Sequence, residues 1–282
     1  MPYNPKFIDG YEIPLPTLSE KLKKQAYRGG MPIEHTRFSI IFHEIRDLAI
    51  CTAHNIDGGD LNDAKREGSF KFDPFLPREI QIDTNRGYSA GQWNNPWDRG
   101  HLVRVASLKW GDLDEAEQAI KESFYFSNIA PQHENLHDKP WGEIEDWMLG
   151  YALGEKKKAS VFTGPIFTED DAKIYNNERE KGVFIPAGFW KVMVILTQQG
   201  LTAAGFMFWQ RDYDSIEPLE FSPTLEQVRI TTIEFLTNLR FSEEVRKADP
   251  LLFNSTTKKR SRSATVVKKS RFINNSDDLI TI

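Results

Sequence analysis

Of 282 residues only one, Cys51, is a cysteine, which excludes an intramolecular disulfide. Cys51 falls in the apolar run from Leu48 to Ala53, where a free thiol acts as a small buried hydrophobe. No run of 18 apolar residues occurs, so no membrane-spanning segment and no membrane partner are expected. The opening Met1-Pro2-Tyr3-Asn4-Pro5-Lys6 lacks a basic stretch followed by an apolar one, so no secretory leader is read there. Together these absences lead to the expectation of an intracellular, cytoplasmic protein. Histidine is also scarce, with six in the chain, at 35, 43, 54, 101, 133 and 137.

Net positive charge is missing too. The balance is −5, which is unpromising for a partner made of phosphates. The distribution corrects that impression. From Lys258 to Arg271 the chain carries seven basic residues and no acid, so the remainder stands at −12. Such a stretch either holds phosphates by charge alone or is a solvated tail without a partner, since Ser and Thr interleave the charges.

What is present is ordinary for a globular chain, with 39% hydrophobic and 27% charged residues. Residues 1–30 are rich in Pro and Gly, with one short helix expected near Leu18–Ala26, and read as a lead-in draped over a core. Short apolar, partly β-branched runs predict strands at Arg37–His43 and Leu48–His54. Residues 60–97 are loop-like, and an irregular stretch of that length is functional or flexible. His101–Lys109 reads as extended or turn, Asp112–Ser123 as a helix with an acidic, solvated side, and Phe124–Ser127 as extended. Trp141–Leu153 predicts a helix with apolar residues at 141, 144, 147, 148 and 151. Further strands are expected at Val161–Thr163, Trp190–Leu196 and Leu201–Phe208, and a last helix over Leu225–Leu239. The pattern is α+β, with a central, mostly antiparallel sheet flanked by helices.

The candidate chemistry lies in one window. His35, His43 and His54 sit in or beside the first strand pair and read as packing or surface residues. His101, His133 and His137 fall together with Asp98, Arg99, Asn128, Asp138, Glu143 and Glu145. A histidine titrating near neutrality takes a proton from water. A hard cation polarises a phosphoryl oxygen, and an arginine fork grips a phosphate at two points. Gly100 is expected to let the backbone turn sharply between Arg99 and His101.

Two ordered motifs sharpen this. Trp97-Asp98-Arg99-Gly100-His101-Leu102 resembles the Asp-Arg-Gly-His signature of the DNA/RNA non-specific endonucleases, the family of Serratia nuclease and endonuclease G type. Phe124-Tyr125-Phe126-Ser127-Asn128-Ile129-Ala130-Pro131-Gln132 resembles that family's Asn-x-Ala-Pro-Gln segment, followed by Leu136, His137, Trp141 and Glu145. Thr163-Gly164-Pro165, Ile185–Val192 and Ile233–Phe241 resemble further family segments, so the likeness runs from about residue 35 to 245.

The resemblance implies a ββα-metal (His-Me finger) nuclease fold that binds one divalent ion, Mg²⁺ or Mn²⁺, and cuts DNA or RNA without sequence preference, leaving 5′ phosphates. It implies His101 as general base, Arg99 as stabiliser of the phosphate or leaving group, and Asp98 as a residue orienting its neighbours. Asn128 would support the site, and Glu145 would hold the ion's water shell. A second family arginine lies upstream of an Asp-Pro loop, and Arg66, before Phe70-Lys71-Phe72-Asp73-Pro74, matches it in a loose register. The implied organisation is the lead-in over 1–30, a nuclease domain over 31–250 and a basic, flexible tail over 251–282.

One position departs from the family. Its direct protein ligand is usually asparagine, and His137 stands there. Three readings stay open: His137 binds the ion and shifts preference toward a metal that accepts nitrogen, Asn135 binds it after a local slip, or the site is damaged. The partners expected are the nucleic acid substrate, a second copy in a homodimer, and an inhibitor or activating partner that restrains an unspecific nuclease. The rival reading is a catalytically dead nuclease fold that binds nucleic acid.

Overall fold

The apolar runs of the sequence become the strands of one large sheet. The computed structural model describes residues 1–83, 97–133, 140–154, 157–174, 182–210, 225–253 and 270–273. In chain order the elements begin with β1 (Thr17–Leu18), α1 (Glu20–Lys23), β2 (Ile33–His35), β3 (Phe38–His43) and β4 (Leu48–Asp57). Then come β5 (Trp97–His101), α2 (Leu113–Ser123), β6 (Ile129–His133), α3 (Pro140–Gly154) and β7 (Lys158–Ile166). The remainder are β8 (Lys173–Ile174), β9 (Val183–Phe184), β10 (Gly188–Thr197), β11 (Gly200–Trp209), β12 (Leu225–Val228), α4 (Ile230–Thr237), β13 (Leu239–Arg240), α5 (Glu243–Lys247), α6 (Pro250–Phe253) and β14 (Ser270–Ile273).

Eight strands pair in the order β14-β12-β11-β10-β7-β4-β3-β2, antiparallel at every step. The two-residue side-chain period of a strand sends its residues to opposite faces. On β10, Phe189, Met193 and Ile195 join one hydrophobic cluster, while Trp190, Val192 and Val194 join the other. The first cluster takes in Ala116, Ala119 and Ile120 of α2 and Ile144, Met148 and Ala152 of α3. The second takes in Tyr3, Ile8, Ile13 and Leu22, together with Ile233 of α4 and Val245 of α5. The sheet is therefore covered on both faces, which explains why its central strands read as unbroken apolar runs.

Helix α2 shows how local sequence sets an element. The Asp112 side chain accepts a hydrogen bond from Glu115 N at 2.9 Å, and Asp114 and Glu115 occupy the first turn, where carboxylates complement the helix dipole. Ala116, Ala119, Ile120 and Ser123 form its buried stripe.

Three segments differ from the sequence reading. Residues 126–128 form a 3₁₀ turn rather than an extended strand, and the strand begins at Ile129 as β6. Leu225–Val228 is strand β12 rather than the start of a helix, because it completes the ladder beside β11. Ser270–Ile273, within the stretch read as a tail, pairs with β12 at the sheet edge. No helix among the described residues is long and apolar enough to cross a membrane.

Candidate active site

A two-stranded ladder of β5 and β6, followed by α3, lies on the α2 face of the sheet and forms a ββα unit. Its register sets Trp97 opposite His133, Asp98 opposite Gln132, Arg99 opposite Pro131, Gly100 opposite Ala130 and His101 opposite Ile129. Strand alternation puts Arg99 and His101 on one side and Asp98 and Gly100 on the other. Gly100 does not turn the chain. It lies within the strand, outside the left-handed region, and a Cβ there would fall 2.1 Å from Gln132 Cδ. The glycine makes room for the Gln132 side chain, which corrects the expectation of a sharp turn.

His101 ends β5, half-buried among aromatic rings. The Phe124 ring meets it edge-on at 4.8 Å, and Phe70 lies 5.6 Å away. Phe70 also carries the Arg99 guanidinium 4.2 Å over its ring, so one aromatic side chain braces both residues. Phe70 belongs to the irregular 60–83 segment, which is tied down rather than loose. Leu61 bridges to Trp110 and Lys71 to Tyr125, and a Cβ at Gly68 would fall 2.1 Å from the Phe124 ring. Farther along, the buried Asp73 carboxylate accepts from Ser127 Oγ at 2.5 Å and lies 3.0 Å from His35 Nε2. Burial alone would raise the Asp73 pKa, but His35, Ser127 and the Phe75 amide outweigh it and hold it below its ordinary value.

The tether brings Arg66 to the site. A cavity of about 290 Å³ is lined by Arg66, His101, Arg104, Lys109, Gln132 and Glu145, with Val105, Ala106 and Gly142. Three cations thus share a wall with the histidine. Asn62 N donates to Lys109 O at 3.1 Å, which fixes the Arg66 and Lys109 segments against each other. Arg104 is committed to carboxylates, with Nη1 2.6 Å from Asp146 Oδ1 and Nε 3.6 Å from Glu145 Oε2.

Glu145 reaches the cavity from α3, and the central strand behind it contributes a buried cation. Lys191 Nζ donates to Glu145 Oε1 at 2.8 Å and to Thr163 Oγ1 at 3.1 Å. Burial lowers the Lys191 pKa, and the Glu145 charge opposes that shift.

Asn128 takes no part in the cavity wall. It is fully buried, accepts from Val103 N at 2.9 Å, and donates to Val103 O at 3.1 Å and Ser123 O at 2.9 Å. Its carbonyl accepts from Leu102 N at 3.0 Å. It fixes the backbone directly after His101, so its part is positioning rather than contact with a reacting group. Asp98 is exposed on the side of the strand away from His101. Its charge opposes the burial that lowers the pKa of His133, whose ring meets the Trp97 ring edge-on at 5.5 Å. His137, Asn135 and Asp138 lie outside the described residues, as does the Glu143 side chain.

Arg104, Lys109, Gln132 and Lys191 went unassigned in the sequence reading. Gln132 was visible as the last letter of the second motif, and Lys191 as a charge inside an otherwise apolar strand. Nothing in the sequence marked Arg104 and Lys109 apart from other cations.

Among the described residues no three His, Cys, Asp or Glu side chains come together as a metal cluster. A site with one direct protein ligand and a water shell does not need one, because Mg²⁺ retains several of its waters. The Glu145 carboxylate oxygens and the Gln132 amide oxygen at the cavity wall are the acceptor types that take hydrogen bonds from such waters, so the set fits a hydrated hard cation. His43 and His54 are buried in the strand pair: burial, with the Arg46 charge, lowers His43 to about 4, and burial, with the Lys191 charge, lowers His54 to about 3.

Comparison with known proteins gives the same direction. A family model described as DNA/RNA non-specific endonuclease matches residues 19–248. The uncharacterized protein y4fB of Sinorhizobium fredii is 32% identical over 264 residues, covering 84% of this chain and 38% of that protein. Mitochondrial endonuclease G of Homo sapiens is 30% identical over 170 residues, covering 55% of this chain and 53% of that protein. Nuclease C1 of Cunninghamella echinulata is 28% identical over 204 residues, covering 69% of this chain and 73% of that protein. The chain thus spans about half or less of the length of the first two. A chain from the crystal structure of the EndoG/EndoGI complex has the same fold, with a TM-score of 0.58 at 18% identity, covering 78% of this chain and 89% of that one.

Proposed function

Because this chain belongs to the DNA/RNA non-specific endonuclease family, we propose that it hydrolyses phosphodiester bonds of DNA or RNA in the cavity bounded by His101, Arg104 and Glu145. The observation that carries this reading is the meeting of His101, Arg104 and Lys109 with Arg66 and Glu145 on one cavity from three separate stretches of chain. A histidine facing three cations and one countered carboxylate suits a phosphate anion beside a proton acceptor.

In the proposed reaction a water molecule attacks phosphorus, its proton passes to the His101 imidazole, the bond to the 3′ oxygen breaks, and that oxygen takes up a proton from solvent. The products carry a 3′ hydroxyl and a 5′ phosphate. The edge-on Phe124 ring limits the rotation of His101 and keeps its basic nitrogen aimed. Arg66 and Lys109 hold the phosphate by charge, and Arg99, exposed and braced on Phe70 outside that lining, offers a further charge to the strand beside it. Phosphate contacts carry no sequence information, which accounts for cleavage without base preference.

A divalent ion would be held by the residue at 137, or by Asn135, with Glu145 and Gln132 on its water shell. When bound, such an ion supplies Lewis-acid stabilisation of the charge on the phosphoryl and leaving oxygens. The Glu145 carboxylate that would meet those waters accepts a hydrogen bond from Lys191 Nζ at 2.8 Å. In the EndoG/EndoGI complex the EndoG chain is held inhibited, and we extend to this chain only the proposal that a protein inhibitor is among its partners.

The test is incubation of the purified chain with plasmid DNA and with RNA, in EDTA, Mg²⁺ or Mn²⁺. Cleavage that needs the divalent ion and produces 5′-phosphate ends is the expected result. Binding of DNA without cleavage under every metal would overturn this reading in favour of a dead nuclease fold.

A further inference from the structure

The cation beneath the cavity has no role in the reaction as proposed above. Lys191 is 2% exposed and projects from the middle of β10 toward the face that carries the site, beside Phe189 and Met193. Its ammonium bonds Glu145 Oε1 at 2.8 Å and Thr163 Oγ1 at 3.1 Å. Glu145 in turn faces Arg104, and Arg104 faces Asp146. Side-chain exposure rises along this alternating chain of charges, from 2% through 12% and 30% to 69%. The row therefore runs from the inside of the sheet, past the cavity wall, to solvent.

Stability does not explain the lysine. An ammonium removed from water is costly, and a buried ion pair is commonly no more stabilising than apolar side chains of similar volume. Leucine or methionine would match the neighbours on that face of β10. Geometry does explain it. Strand β10 is paired along its length on both sides, by β11 and by β7, which makes it a rigid place to anchor a side chain. Thr163 is the direct cross-strand neighbour of Lys191 on β7 and aims the ammonium.

We propose that Lys191 is the positioning residue for Glu145. It fixes Oε1 from the sheet and so directs Oε2 to the cavity side. Lys191 itself touches neither substrate nor water in the reaction, being covered by Glu145 and the sheet. The inference rests on the nuclease reading for its activity readout, and on geometry alone for its binding readout.

A double-mutant cycle tests it, with Lys191→Met, Glu145→Gln and the double variant measured for kcat, KM on DNA, thermal midpoint and Mn²⁺ binding by calorimetry without nucleic acid. Lys191→Met is expected to lower kcat about 10- to 100-fold, the usual effect of losing a group that orients a metal-site residue, with KM nearly unchanged. It is expected to weaken Mn²⁺ binding as Glu145→Gln does. The double variant should be no worse than the worse single one, in kcat and in Mn²⁺ affinity, because Lys191 acts only through Glu145. Losses that multiply in the double variant would overturn the proposal and leave Lys191 a structural residue. If Lys191→Met does not fold, Thr163→Val removes only the aiming hydroxyl, and a smaller kcat loss that vanishes beside Glu145→Gln is expected. A wild-type chain that cuts nothing defeats the nuclease reading, while the Mn²⁺ cycle still decides whether Lys191 works through Glu145.

Discussion

Asn128 and Val103 exchange two hydrogen bonds, amide to backbone in both directions, at 2.9 and 3.1 Å. The pair fixes the chain two residues after His101, inside a core where an unpaired backbone group costs about 1–3 kcal/mol. Asn128→Ala would orphan Val103 N and O together with Ser123 O. It should lower stability by on the order of 3 kcal/mol, far beyond an ordinary surface change, and reduce cleavage even when the protein is folded. Urea unfolding beside an activity assay at low denaturant checks both. A loss under 0.5 kcal/mol, on the order of a surface substitution, would contradict the role given to Asn128.

Gly100 and Gln132 share one volume. A Cβ at 100 would lie 2.1 Å from Gln132 Cδ and Oε1, the far end of a side chain that lines the cavity. Gly100→Ala should therefore displace Gln132, at about 1–3 kcal/mol for overpacking, and lower cleavage more than stability. In a Gln132→Ala background the stability cost of Gly100→Ala should largely vanish. An equal cost in both backgrounds would place the strain elsewhere.

The sequence was informative where periodicity and apolarity act locally. Strands β4, β10 and β11 and helix α2 follow from their own residues, and the two motifs located His101 and its ladder partner. The misreadings have physical causes. Leu225 and Val228 stand three apart, as on a helix, but the ladder beside β11 decides their conformation. β6 contains Pro131 and lacks clear alternation, so no strand signal stood out. Arg66 entered the site through the tethering of a loop at Leu61, Gly68 and Lys71, which no local pattern reveals. Lys191 became legible only once Glu145 was seen above it.

His43 and His54 should make stability fall in mild acid. Burial lowers both, assisted by the Arg46 charge at His43 and the Lys191 charge at His54, to about 4 and about 3. A group whose folded pKa lies below its unfolded value of about 6.5 contributes stability fully present above that value. As pH drops through 6.5 the unfolded chain takes up protons that the folded chain refuses. Near pH 5 the two histidines together should remove up to about 2.7 kcal/mol per pH unit. Urea midpoints from pH 7 to 5 measure the slope, and His54→Leu should cut it by about half. A flat profile would mean that these histidines are protonated in the folded protein.

Lys109 offers a charge to the cavity and is not given a chemical step. Lys109→Ala should weaken substrate binding across all sequences alike and make the slope of log KM against log salt shallower by about one. KM on two unrelated DNA duplexes over a salt series is the check. A sequence-dependent loss would indicate base reading instead.

The central claim is that His101 accepts the proton of the attacking water. Its most direct test is single-turnover cleavage of a labelled duplex by His101→Ala with saturating Mg²⁺ or Mn²⁺, beside DNA affinity measured by fluorescence anisotropy. The account predicts a rate lower by about 10²- to 10⁴-fold, the usual contribution of a general base, with affinity changed less than about twofold, well under 1.4 kcal/mol. Cleavage at the wild-type rate by His101→Ala would contradict it.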